Sequence, residues 1–193
     1  MMVSFIRKLL SCRVLVLLGI TGVSVFSLLM ALTAEVYFGL EPCILCVYQR
    51  FPFLAVAILG LIGLAMKSKP AVQRVIIALS GLTFLVNSII ASYHTGVEQK
   101  WWASAFEGCA VPPLGDEPQT ILENILSAPT ANCAEIPWQD PIIGLSMANY
   151  NALMCFGLFV VCILSFMLLR NTQKTEGCHH AQHQCGMENK ETD

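Results

Sequence analysis

Four long runs of apolar residues dominate the hydrophobic pattern of the chain. They contain no charged residue and cover 14–34, 51–66, 75–93 and 150–169. A bilayer core about 30 Å thick needs about 20 helical residues to cross it, and three of the runs are long enough by themselves. The second run becomes long enough if residues 46–50 form its first turn. The pattern therefore predicts an all-α membrane protein built as a four-transmembrane-helix bundle.

The composition supports lipid as the main solvent of this chain. Only 12% of its 193 residues are charged and 55% are hydrophobic, whereas soluble domains carry about 25% charged residues. The first run lacks a small-x-small cleavage site followed by a soluble domain, so we expect an uncleaved helix there and no signal peptide. The sequence contains no basic patch of the kind that binds nucleic acid.

The basic residues indicate how the bundle is oriented. If the chain crosses the membrane four times, nine of its eleven Lys and Arg residues fall on one side, and only Arg50 and Lys100 fall on the other. By the positive-inside rule, the basic side is cytoplasmic and holds both termini. The nine residues are Arg7, Lys8, Arg13, Lys67, Lys69, Arg74, Arg170, Lys174 and Lys190.

Two loops then face outward. The short loop covers roughly 35–50, and the long loop covers roughly 94–146 and is rich in Pro, Gly and acidic residues. A loop of that length is usually functional or disordered. We divide the chain into a membrane domain over 1–170 and a cytoplasmic tail over 171–193, which we expect to be disordered.

The nine cysteines are distributed unevenly between the two sides. Two lie inside the last run and three lie on the cytoplasmic side, where disulfides are rare. The outward-facing loops carry an even set of four, on the side where disulfides persist. These four are Cys43, Cys46, Cys109 and Cys133.

The Cys43-x-x-Cys46 spacing suits thiol–disulfide chemistry. If a helix starts at this motif, its unpaired N–H groups stabilise a thiolate at the first cysteine, and the thiolate is the species that attacks disulfides. Pro42 is typical of a helix entry. Arg50 follows Cys46 by four residues and so shares its helical face, where a cation lowers the pKa of a thiol or stabilises a bound anion.

Other interpretations of these cysteines stay open at this level. Half of a zinc site is one, although the matching second Cys-x-x-Cys is absent. A structural disulfide is another. Cys109 and Cys133 could form a clip that stabilises the fold by about 3 kcal/mol, or they could exchange electrons with the first pair.

The tail carries a separate motif, CHHAQHQC over 178–185. Its Cys and His side chains are of the kind that binds zinc or copper. The spacing matches no standard structural zinc site, so we favour a disordered tail and predict no metal site in this chain.

Several stretches resemble the disulfide bond formation protein B (DsbB) family of bacterial membrane quinone reductases. They are EPCILCVYQR over 41–50, YHTGVE over 93–98, CAEIPW over 133–138 and GLSMANYNAL over 144–153. Together they are specific, and the resemblance covers roughly residues 10–170. It implies a protein of the bacterial inner membrane whose short and long loops are periplasmic.

The resemblance also implies roles for individual residues. Cys46 would interact with a quinone, either ubiquinone or menaquinone, and Arg50 and His94 would lie beside it. Each residue also has a purely structural interpretation. Arg50 would then be an anchor at the membrane interface, and His94 would be a polar cap there.

For the loop pair, the resemblance implies contact with a protein partner. Cys109 would form a mixed disulfide with a periplasmic thioredoxin-fold oxidase of the DsbA type. Cys133 would then exchange with Cys43, and the electrons would pass to the quinone. The chain would thus be a protein-dithiol:quinone oxidoreductase that works in the lipid bilayer.

Two further function classes compete with this one. A vitamin K epoxide reductase type of enzyme is also a small helical bundle with Cys-x-x-Cys, but there the pair is expected near the last helices, whereas here it follows the first. A non-enzymatic membrane protein with structural disulfides is the other. Transport finds little support, since the apolar runs contain no ionisable residue.

Overall fold

The chain folds as a bundle of long helices. A computed structural model describes residues 9–66, 68–106, 109 and 132–188, with the side chains described up to residue 170. Its helices are α1 (Arg13–Phe38), α2 (Ile44–Ala65), α3 (Pro70–Glu98) and α4 (Met147–Glu188). Within these ranges the only extended pairing is an isolated bridge between Gln139 and Ser146. The prediction of an all-α, four-helix membrane bundle is confirmed.

The surfaces of the four helices are apolar. Each helix is long and apolar enough to cross a membrane, the span of α4 being Met147–Arg170. Large hydrophobic side chains are exposed along every helix, which a soluble bundle avoids because its outer face is polar. Examples are Leu18, Phe26, Leu29, Phe51, Leu61, Leu82, Ile89, Leu153 and Phe156.

The helices pack chiefly against their neighbours in the chain. Contacts are most extensive between α3 and α4, followed by α1 with α2 and α2 with α3, while α1 touches α3 and α4 only lightly. The ends of α1 and α3 and the starts of α2 and α4 therefore lie at one end of the bundle. We call this end, which carries Cys43, the cysteine end.

Two helices are longer than their apolar runs. The α3 helix continues to Glu98, so His94 lies within it, whereas the sequence pattern places this residue at the start of the long loop. The added turn is helical because it buries His94, Val97 and Glu98. The α4 helix runs from Met147 to Glu188. The division into a membrane domain and a disordered tail over 171–193 stays a prediction, and the side chains of the 178–185 motif lie outside the described residues.

A cluster of buried apolar side chains fills the middle of the bundle. Its larger members are Leu17, Ile20, Phe53, Val56, Ile77 and Phe84. Small residues let α1 and α2 approach closely beside it: a Cβ atom on Gly60 would overlap Oγ1 of Thr21. Close backbone approach at such positions is a common basis for helix association in membranes.

We therefore predict that Gly60→Ala destabilises the bundle by about 1–3 kcal/mol, since it overpacks the α1–α2 contact. Thermal unfolding in detergent, followed by tryptophan fluorescence, measures the effect. Adding Thr21→Ala should recover part of the loss because it removes the overlapping atom. Gly22→Ala is the matched control, since no described atom beyond the local backbone of its own helix lies within 4 Å of its added Cβ. Equal stability of Gly60→Ala and Gly22→Ala would contradict this packing.

Candidate active site at the cysteine end

Cys43 caps the N-terminus of α2. Its backbone is extended, and its Sγ accepts a hydrogen bond from the backbone N–H of Cys46 at 3.4 Å. The Sγ atoms of Cys43 and Cys46 lie 3.2 Å apart. The sulfur of Cys43 thus faces the positive end of the helix dipole and the unpaired N–H groups of the first turn, both of which favour a thiolate.

His94 brings α3 to this sulfur. Its imidazole is buried, with 1% of the residue exposed. The Nε2 atom lies 3.5 Å from Sγ of Cys43 and 3.8 Å from Oε1 of Glu98, one turn further along α3. The Nδ1 atom lies 3.0 Å from Nε2 of Gln49 on α2. The structure thus places His94 against Cys43. The prediction that His94 lies beside a quinone stays a prediction.

These contacts lower the pKa of the Cys43 thiol from 9.0 to about 4. The largest cause is the hydrogen bond from Cys46, and the hydrogen bond from His94 acts in the same direction, whereas burial opposes them. Because a thiol is a nucleophile only when ionised, Cys43 is activated at neutral pH.

Cys109 and Cys133 form a disulfide, with their Cα atoms 4.9 Å apart. Both are almost fully buried, and they belong to the same buried cluster as Cys43, Leu45 and Val97. The structure thus places the two cysteine pairs together, which the sequence alone did not establish. A purely structural clip has no need of that neighbourhood, whereas exchange between two pairs requires it.

An aromatic group holds the start of the long loop against the helices. The ring of Tyr93 stacks on Trp102, and its hydroxyl accepts a hydrogen bond from the backbone N–H of Ala105 at 2.8 Å. Phe106 contacts the rings of both Tyr93 and Tyr48, at 5.9 Å between centroids. Since Cys109 follows closely, these contacts carry the loop disulfide to the start of α2.

Arg50 lies on α2 one turn after Cys46, as its spacing predicts. Its Nη1 donates to Oε2 of Glu35 on α1 at 2.8 Å. The arginine side chain is 25% exposed and the glutamate side chain is 40% exposed. The sequence indicated the cation but not this anionic partner, and the ion pair links α1 to α2 beside the redox pair.

Four polar residues of the site were missed at the sequence level. Glu98 is buried, and its Oε2 accepts a short hydrogen bond from the hydroxyl of Ser146. Gln49 is buried between His94 and Asn151. Two signals could have found some of them: Glu98 follows His94 by four residues on a helix, and Asn151 is an amide inside an apolar span.

The arrangement could also hold a metal ion. Cys43, Cys46 and His94 each offer one donor atom, and these atoms lie within 4.8 Å of one another. Two sulfurs and one imidazole nitrogen suit zinc and similar soft ions. The absence of a metal site therefore stays a prediction.

A membrane bundle with an activated thiol beside a second cysteine pair defines a class of protein, the membrane thiol–disulfide oxidoreductases. Comparison with known proteins gives the family: residues 13–165 match the family described as Disulfide bond formation protein DsbB. The chain belongs to this family, and it is a multi-pass membrane protein of disulfide bond formation.

Individual relatives agree with this assignment. Disulfide bond formation protein B 1 of Pseudomonas fluorescens is 31% identical over 172 residues, covering 84% of this chain and 92% of the relative. The Histophilus somni protein named Disulfide bond formation protein B is 31% identical over 70% of this chain and 76% of its own. An uncharacterised protein of Rickettsia prowazekii is 32% identical over 80% and 88%. The family match favours disulfide formation over a vitamin K epoxide reductase type of enzyme.

The low pKa of Cys43 predicts how its reactivity depends on pH. In the reduced protein, alkylation of Cys43 by iodoacetamide should be nearly independent of pH above about 5.5, because the thiolate is already formed above its pKa of about 4. In Cys46→Ala, which removes the main stabilising hydrogen bond, alkylation at pH 6 should slow by about tenfold or more. Mass spectrometry of the Cys43 peptide measures both rates.

Cys162→Ala, a change within the distant core, serves as the control and should leave the Cys43 profile unchanged. A wild-type rate that climbs about tenfold per pH unit between pH 5.5 and 8, as for an ordinary thiol, would refute the activation of Cys43.

Proposed function

We propose that this protein oxidises the dithiol of a periplasmic thioredoxin-fold oxidase of the DsbA type and passes the electrons to a membrane quinone. One observation carries the proposal: both cysteine pairs and the buried His94 meet at one end of a membrane-spanning bundle. A thiol relay that ends on a lipid-soluble acceptor needs its last dithiol at the membrane surface, which is where α2 begins.

The proposed location is the bacterial inner membrane, with the cysteine end in the periplasm and both termini in the cytoplasm. Its support is the distribution of cations. Among the described residues, Arg13, Lys69, Arg74 and Arg170 lie at the opposite end of the bundle, as the positive-inside rule requires of a cytoplasmic face. Disulfides also persist in the periplasm and not in the cytoplasm.

The first exchange involves the loop disulfide. A thiolate of the partner attacks Sγ of Cys109, forming a mixed disulfide and releasing Cys133 as a thiolate. The second thiol of the partner then attacks the partner's first sulfur, which is bonded to Cys109 in the mixed disulfide, and releases Cys109. The partner leaves oxidised, and Cys109 and Cys133 keep the two electrons and two protons.

The second exchange moves the electrons to α2. The thiolate of Cys133 attacks Sγ of Cys43 in a Cys43–Cys46 disulfide, releasing Cys46. Cys109 then attacks Cys133, which restores the loop disulfide and leaves Cys43 and Cys46 reduced. The stabilised thiolate of Cys43 is a good leaving group in this last step, since exchange is faster when the departing thiol has a low pKa.

The residues beside Cys46 fit a quinone. A guanidinium carries five N–H donors, and among the described contacts of Arg50 only Nη1 is engaged, by Glu35. Arg50 would hold a quinone oxygen, and the exposed apolar faces of α1 and α2 would admit the molecule from lipid. A bound quinone supplies an acceptor for two electrons and two protons. The proposal covers ubiquinone and menaquinone alike, since each offers a quinone oxygen to Arg50.

Turnover by cysteine variants tests the proposal. Purified protein mixed with a reduced thioredoxin-fold dithiol protein should reduce ubiquinone or menaquinone, followed by the change in quinone absorbance. Cys43→Ser and Cys46→Ser should reduce this rate to background because each removes one sulfur of the terminal pair. Cys12→Ser, an exposed cysteine at the opposite end, is the matched control and should turn over normally.

Normal turnover by Cys43→Ser would refute the relay. Normal turnover by Cys109→Ser would instead show that the loop disulfide is only a structural clip.

A further inference from the structure

A chain of buried side-chain hydrogen bonds leads from the middle of the bundle to His94. Asn87 Nδ2 donates to Sγ of Cys155 at 3.3 Å, and this thiol donates to Oδ1 of Asn151 at 3.2 Å. Asn151 Nδ2 donates to Oε1 of Gln49 at 2.6 Å, and Gln49 Nε2 lies 3.0 Å from His94 Nδ1. We call these five residues the polar relay. It crosses α3, α4 and α2, and it gives Cys155 a role beyond packing.

The relay runs in one direction because each member donates to the next. Four of its members are buried, and hydrogen bonds in apolar surroundings are costly to leave unmade. At its start, Oδ1 of Asn87 has no partner among the described residues. The reversed relay would instead leave the Asn87 NH₂ group unpaired, and orphaned N–H donors are rarer in proteins than under-satisfied carbonyl oxygens.

This direction determines which nitrogen of His94 carries the proton. The side-chain nitrogen of Gln49 is only a donor, so Nδ1 of His94 must accept. In the neutral imidazole the proton is then on Nε2, which faces Sγ of Cys43 at 3.5 Å and Oε1 of Glu98 at 3.8 Å. Both are acceptors when ionised, and Glu98 also accepts from Ser146.

We propose that Gln49 and Asn151 are positioning residues that fix the tautomer of His94, so that its Nε2–H points at the Cys43 sulfur and holds it as the reactive thiolate. The inference rests on the proposed function only where it assigns the Cys43 thiolate to disulfide exchange. The geometry that carries it is independent of the partner and of the quinone.

The same relay disfavours the metal site that the donor atoms would otherwise allow. To bind an ion together with Cys43 and Cys46, His94 would need a free electron pair on Nε2. Metal-bound histidines usually donate their other N–H to a carbonyl or carboxylate, whereas here Nδ1 faces the amide nitrogen of Gln49.

The wild-type protein provides the first test. Reduced protein labelled with ¹⁵N-histidine in detergent has four histidines, and the His94 signals are those lost in His94→Asn. We expect a protonated Nε2 and an unprotonated Nδ1 for the neutral ring. A neutral His94 with its proton on Nδ1 would overturn the proposal. This test does not depend on whether the relay variants fold.

Two nearly isosteric variants provide the second test. Gln49→Glu places an acceptor-only group beside Nδ1. Asn151→Asp places an acceptor-only group against the Gln49 amide. The amide then turns to donate to the new carboxylate, and it presents Oε1 to Nδ1 of the ring. Both should move the His94 proton to Nδ1 and raise the pH midpoint of Cys43 alkylation by about one unit or more, since a hydrogen bond to the thiolate is lost.

Matched controls separate the tautomer from added charge and from structure. Gln99→Glu adds the same charge at the exposed C-cap of α3 and lies outside the relay, so it should change neither readout. Gln49→Leu adds no charge and should give mixed tautomers. Cd²⁺ absorbance on reduced protein adds a third readout: binding should be tighter in Gln49→Glu than in Gln99→Glu. Unchanged ring signals in both relay variants would overturn the inference.

Quinone turnover distinguishes the two levels of the argument. Normal turnover in a protein whose His94 carries its proton on Nδ1 would contradict the relay and leave the proposed function standing. The expected tautomer in a protein without any quinone turnover would support the relay and contradict the function.

Discussion

The contact between His94 on α3 and Cys43 at the start of α2 is the interaction on which the cysteine end depends. It joins two helices through a buried imidazole and a sulfur 3.5 Å apart. An unpaired imidazole buried in apolar surroundings would be costly, so its other contacts, with Gln49 and Glu98, are necessary parts of the fold. These contacts bring α2, α3 and α4 to a common point, since Gln49 continues to Asn151 and Glu98 to Ser146.

The bilayer explains why this polar group lies at one end. Along the spans, most side chains contact lipid and are apolar, and apart from the inner part of the polar relay the buried middle of the bundle is chiefly apolar. Polar chemistry therefore concentrates where helices begin and end and where unpaired backbone groups are available. The N-terminus of α2 supplies those groups to Cys43. The disulfide of Cys109 and Cys133 is carried there by the loop aromatics, and the result is a compact thiol site at the edge of an apolar bundle.

Much of the fold could be predicted from the sequence because lipid imposes a strong and local pattern. Uncharged runs of sufficient length define helices, and the Cys-x-x-Cys spacing placed Cys43 at a helix start. The end of α3 was harder to predict. The residues after the apolar run include His94 and Glu98, whose polarity suggests a loop, and only contacts with α2 and α4 make them a buried helical turn. The ion pair of Arg50 with Glu35 could not be predicted either, because Glu35 lies on another helix and only the packing of α1 against α2 brings the two together.

The most direct test of the account asks whether the two cysteine pairs can exchange. In a Cys46→Ala/Cys109→Ala variant, Cys43 and Cys133 are the sulfurs that remain in the shared cluster. After mild oxidation, mass spectrometry without reduction should find them joined in one disulfide in most of the protein, because both belong to one buried neighbourhood. Two free thiols, still alkylated separately after the same oxidation, would contradict the proposal that the loop pair passes its electrons to Cys43.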